Sequence, residues 1–207
     1  MTKDKKKMTE VQSLAILPIE VIHLGRVHNV TKSAQSQQLG IEREGFILQR
    51  DLYRYFLRNM NKYQMDRTFL LDLEKTNVLL TQLEAATEQK LELSVREISE
   101  WLGVDGIITG SVDQLAPGNA LLTGLVNGKL GNDSNVKVSL SLRSKFGQIY
   151  WRHTDERPSG KDNVYEVSKD LLRNAVKDFF DKLDRVQPKG KKLKNKNKQA
   201  KKEDKED

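Results

Sequence analysis

The chain carries three histidines and no cysteine, so any chemistry it performs must come from carboxylates, hydroxyls, lysines or those few imidazoles. The most suggestive acid is Asp105, set among glycines in WLGVDGIITGSV, residues 101 to 112. A carboxylate at the mouth of a strand can serve as a general base only if a second group holds or relays its proton, and the sequence puts neither a histidine nor another carboxylate beside it. A structural use fits better: hydrogen bonds to local backbone where a helix turns into a strand, or a pair with a basic neighbour such as Arg67. His23 and His28 match no common zinc spacing, and His153 is remote from both. Trp151, His153 and Asp155 would share one face of a strand, but Trp151 suits a core or a partner interface better than a site. In LTGLVNGKL the pair Gly128–Lys129 lacks what a phosphate loop needs, because position 123 is Thr123 and position 130 is Leu130. No G-x-S-x-G elbow occurs. The residues lead to an expectation of no catalytic residue, no cofactor and no metal.

The elements that carry these residues follow from periodicity. SLAILPIEVI, residues 13 to 22, is a β-branched apolar run whose pairing should weaken at Pro18. From about Gln38 to Tyr63 the spacing is helical, with Phe46, Tyr53, Leu57 and Met60 on one stripe. A brief strand over 64 to 69 and a helix to about residue 86 follow. Ser94 and Glu97 form a capping box, and Gly103 stands where a left-handed cap would end that helix. From Val104 the period becomes two, which puts Gly106 and Gly110 on one face with Ile108 and Val112. Bare positions there should let a packed helix sit close, so Gly103, Asp105, Gly106 and Gly110 read as a structural motif. NVKVSLSLRS turns through KFGQ into QIYWRHTDE, an antiparallel hairpin, and a helix over 164 to 186 closes the domain. The expected fold is α/β: one two-layer or three-layer domain, residues 13 to 186, with a mixed sheet of about five strands in the order β-α-β-α-α-β-β-β-α.

The net charge of +7 resembles a nucleic-acid signal until it is located. Residues 187 to 207 hold nine lysines and four acids, and residues 1 to 12 hold four lysines and two acids, so the ends account for all of it. Both ends are low in apolar residues and are expected to be disordered. The lysine-rich tail suits a loose contact with anionic polymer or lipid; alternatively it makes the chain a nonspecific nucleic-acid or polyanion binder, steeply salt-dependent.

In SLAILPIE, QMDR, ISEWLGVDGIITGSV and VKVSLSLRSKFGQIYW, in that order, the chain resembles the bacterial envelope superfamily that includes the TolB amino-terminal domain, the curli secretion lipoprotein CsgG and the penicillin-binding-protein activator LpoB. The resemblance spans roughly residues 13 to 180. It implies the TolB N-terminal/CsgG-like fold and a noncatalytic accessory lipoprotein domain that binds an envelope protein and takes no small-molecule substrate. It also implies a periplasmic place, anchored to the outer membrane through a lipid on a removed or upstream cysteine; a chain complete as it stands would instead be cytoplasmic. The expected partner-binding residues are Leu121, Leu122, Leu125 and Val126 in the Gly- and Asn-rich stretch 116 to 134, together with Trp151; those leucines would equally close a small core under the loop.

Overall fold

The computed structural model describes residues 11–24, 34–63, 69–87, 93–115, 135–159 and 163–184. In chain order the elements are β1 Ser13–Ile16, β2 Glu20–Leu24, α1 Ala34–Tyr63, β3 Phe69–Leu70, α2 Leu73–Thr87, α3 Val95–Leu102, β4 Gly106–Leu115, β5 Asn135–Ser144, β6 Ile149–Pro158 and α4 Val164–Asp184. Residues 1 to 10, 187 to 207 and the stretch 116 to 134 lie outside the described residues, and so do Arg67 and the start of the expected strand over 64 to 69.

The sheet runs β3-β1-β4-β5-β6, with β2 also on β4. Strands β3, β1, β2 and β4 are parallel, while β4, β5 and β6 are antiparallel. The expected first strand is two: Leu14–Ile16 pair with Gly106–Ile108, Glu20–Leu24 pair with Ser111–Leu115, and Pro18 lies in the break. A proline has no N–H for the ladder, so the strand must interrupt there and resume.

Side chains alternate across this sheet and divide the core. Leu14, Ile16, Ile108, Val112, Val138 and Leu140 face α1 and α4, where Leu52, Phe56, Leu172, Val176 and Phe180 complete the larger cluster. Phe56 lies 5.1 Å from Phe179 and 5.5 Å from Phe180, tilted as aromatic quadrupoles favour. On the opposite face Ala15 and Ile107 meet Leu71, Leu102 and Val104, with Leu79, Leu80, Val95 and Ile98 packed round them from α2 and α3. Val104 precedes the strand and joins this smaller cluster, not the Ile108 face its spacing suggested. Among the described residues the domain is three layers deep over β1 and β3 and two layers deep over β6, so both expected architectures are present in one sheet.

Helix α1 keeps Tyr53 and Met60 of the expected stripe against the core but is turned away from Phe46 and Leu57. Leu48, Leu52, Tyr55 and Phe56 are buried, whereas Phe46 and Leu57 are 46% and 39% exposed. The rotation is set at Gly45, whose missing Cβ leaves room for the Ile19 carbonyl; any side chain there would collide with it. Gln49, wholly buried, donates to the carbonyl of Ile16 at 2.8 Å and exchanges hydrogen bonds with Asn77, tying α1 to β1 and α2. Its amide thus meets partners on both sides, as a buried polar group must.

Candidate interaction face

The junction WLGVDGIITGSV is built as a structural clamp. Ser94 accepts from the Glu97 N–H while Glu97 accepts from the Ser94 N–H at 2.8 Å, which closes the capping box of α3. A hydrogen bond from the Ser94 hydroxyl at 2.7 Å, and after it the one from the Ser94 N–H, holds the Glu97 carboxyl below its ordinary pKa. Gly103 ends the helix at φ 67° and ψ 37°, and the Val104 N–H reaches back to the Ser99 carbonyl. That left-handed turn delivers Asp105 to the start of β1. Its Oδ2 accepts from the Ser13 hydroxyl at 3.1 Å and the Gln12 N–H at 3.4 Å, and its Oδ1 lies 3.5 Å from Lys145 Nζ. Its N–H donates to Ser13 Oγ at 2.9 Å, and its carbonyl accepts from the Lys145 N–H at 2.8 Å. Asp105 therefore joins β1, β4 and the β5–β6 turn, and its cationic neighbour is Lys145.

Gly106 and Gly110 do not admit a helix. A Cβ on Gly106 would come within 3.1 Å of Leu14, Leu142 and Val11, and one on Gly110 would meet the Leu140 side chain and, at 2.9 Å, the Ser139 carbonyl. All of these belong to neighbouring strands or the segment leading into β1. The glycines seat leucines that lean across the sheet, and the helices pack on those leucines. The glycine that brings a helix against the chain is Gly45.

Trp151 is 3% exposed, so it is no surface anchor in this fold. Its ring stands edge-on to Phe179 at 5.2 Å, and its Nε1–H donates to Asp178 Oδ2 at 3.0 Å. Asp178 also meets Lys182 at 2.7 Å and His153 Nδ1 at 3.3 Å. Burial works to raise the Asp178 pKa, but hydrogen bonds from Lys182 and Trp151 outweigh it and leave the carboxyl below its ordinary value. Asp155 does not join this group, because its Oδ1 accepts from the N–H of Glu156. Leu121, Leu122, Leu125 and Val126 lie outside the described residues. Among the described residues no three His, Asp or Glu side chains gather as a metal site.

What the sequence reading passed over is the face of β4, β5 and β6 opposite α1 and α4. Helices α2 and α3 pack around Ala15 and Ile107, α3 touching the near ends of β4 and β5, and among the described residues neither covers the hydroxyl rows beyond. Residues on this face stand in cross-strand rows: Ile107–Arg143–Ile149, then Thr109–Ser141–Arg152, then Glu20–Ser111–Ser139–Thr154, then Asp113–Lys137–Glu156. The Thr109 and Ser141 hydroxyls are 3.0 Å apart, and Thr154 reaches Ser139 at 3.5 Å. These short side chains form the floor of a shallow depression of about 320 Å³, bordered by Glu20, Arg143 and Arg152. Among the described residues neither guanidinium has a carboxylate partner. The sequence signal was there, in the outward positions of NVKVSLSLRS, where hydroxyls stand in place of the long charged side chains that commonly solvate an open sheet face.

No family model and no curated protein matches this chain. Among solved structures it is similar to the LpoB C-terminal domain from Salmonella enterica, at 12% identity over 74% of this chain and 91% of that one, TM-score 0.35. It is similar also to the PelC dodecamer from Paraburkholderia phytofirmans, at 9% identity over 80% and 84%, TM-score 0.37. The lipoprotein GNA1162 from Neisseria meningitidis matches at 10% identity over 82% and 96%, TM-score 0.38. With TM-scores below 0.5, these likenesses leave function to be argued from the chain's own residues.

Proposed function

We propose that this domain is a noncatalytic accessory module of the bacterial cell envelope that binds a protein partner. The observation that carries the reading is the half-covered sheet: among the described residues a rigid sandwich leaves the hydroxyl rows of β4–β6 open, bordered by two arginines without a carboxylate partner. The fate of Asp105 supports it, since the acid best placed by sequence for chemistry is occupied in tying β1 and β4 to the β5–β6 turn. The ordered sequence motifs shared with envelope accessory proteins support the location. Among the described residues no helix is long and apolar enough to cross a membrane.

Because the chain has no cysteine, a single Thr154→Cys substitution gives a unique attachment point for a bulky maleimide on this face. Labelled Thr154→Cys protein should lose capture of its partner from solubilised envelope, while Arg58→Cys, labelled on the exposed side of α1, should keep it. Equal capture by both would refute the face as the binding surface. Catalytic turnover that survives the label would refute a purely accessory role.

A further inference from the structure

Among the described residues the face left open by the helices is electrically polarised along its strands. Its first two rows contain Arg143 and Arg152 and no acid, while its last two contain Glu20, Asp113 and Glu156 against one cation, Lys137. Hydroxyls occupy the middle. One end is therefore +2 and the other −2, their centres about four residues apart along β5, or roughly 13 Å at strand rise.

We infer that this face is the seat of a polypeptide segment carrying carboxylates at one end and lysine or arginine at the other, a partner of opposite polarity laid over the hydroxyl floor. This inference rests on the protein-binding reading above and names the partner's chemistry. Three features select that occupant. Unpaired guanidiniums take carboxylates in paired hydrogen bonds. Hydroxyls both donate and accept, so they suit the N–H and C=O groups of a peptide. The acidic end repels a uniform polyanion, which disfavours a nucleic acid or an anionic bilayer. A second copy of this chain has complementary charge, but two recessed floors face to face leave a void between them, whereas a single segment fills one.

The full chain is titrated at low salt with four probes while its backbone amides are followed by NMR: a ten-residue peptide with a glutamate half and a lysine half, an all-glutamate peptide, an all-lysine peptide, and phosphatidylglycerol vesicles. The mixed peptide should move the amides of Ser111, Ser139, Ser141 and Thr154 and bind about tenfold more tightly than either uniform peptide, through charge complementarity at both ends. Arg143→Glu with Arg152→Glu should abolish the preference, and Arg43→Glu with Arg50→Glu on α1 should not. Equal binding by the all-glutamate peptide or the vesicles, or shifts confined to other elements, would overturn the proposal. So would self-association that is lost in Arg143→Glu with Arg152→Glu, since the second copy would then be the occupant. Mixed-peptide binding without capture of any envelope protein would leave this chemistry standing and remove the function proposed above, so the two fail separately.

Discussion

The carbonyl of Ile19 occupies the place where Gly45 would carry a Cβ, and the Ile19 N–H donates to the Gly45 carbonyl at 3.3 Å. One glycine thus fixes how far α1 sits from the chain linking β1 to β2. Gly45→Ala should destabilise the domain by about 2 kcal/mol or more, because the clash is with backbone that cannot swing aside. Gly40→Ala, in the same helix with open space around its Cβ, should stabilise by about 0.5–1 kcal/mol. Urea denaturation of the pair checks both signs; destabilisation of similar size at both positions would contradict the packing at Gly45.

Gly110→Ala should cost more than Gly106→Ala. At Gly110 a Cβ meets the Ser139 backbone carbonyl as well as Leu140, whereas at Gly106 it meets only side-chain methyls at 3.1 Å. Methyl groups can shift by a few tenths of an ångström and backbone oxygens in a ladder cannot. Overpacking typically costs about 1–3 kcal/mol, and Gly110→Ala belongs near the top of that range. Thermal melts of the two variants should rank them in that order.

Much of the fold was legible because each segment agreed with one period. Alternating Val136, Val138, Leu140 and Leu142 are all buried, and Val167, Leu171, Ala175, Phe179 and Leu183 form the buried stripe of α4. Ser94, Glu97 and Gly103 act as the caps their types suggest. The register of α1 was not legible, since Phe46 and Leu57 are apolar yet exposed, and what orients the helix is a contact between Gly45 and a residue 26 positions earlier. Trp151 was placed at an interface because an amphipathic aromatic fits either setting; its indole N–H finds Asp178 inside the domain. The interaction face was missed for a different reason. Serines and threonines on a strand are unremarkable singly, and only register shows that those of three strands make one floor.

Asp178→Ala should destabilise by about 1–3 kcal/mol by leaving the buried Trp151 N–H without its acceptor. Its carboxyl is held below the ordinary value, so the folded state favours the ionised form. That contribution is present above the unfolded carboxylate pKa of about 3.9 and is lost as pH falls through the lower, folded value. Asp178→Asn should therefore flatten the acid limb of a stability profile. An unchanged acid limb would show that the pair with Lys182 and Trp151 contributes nothing there.

At the alkaline end the group to watch is Tyr165. Burial, and then its hydrogen bond to Asp51, push its hydroxyl up to about 12. The unfolded chain ionises first, so the stabilisation is complete below about pH 10 and declines as pH rises toward the folded value. Tyr165→Phe should remove that decline between pH 10 and 12, read by denaturant midpoints across the range. A decline that persists in the variant would assign it to another group.

The central claim is that the uncovered β4–β6 face grips a protein, and site-specific photo-crosslinking tests it most directly. With a benzophenone amino acid at Thr154, the full chain in intact envelope should form an adduct with one partner protein, and Arg143→Glu with Arg152→Glu should abolish that adduct. The same group at Arg58 should give none. Adducts from Arg58 with none from Thr154 would contradict the account.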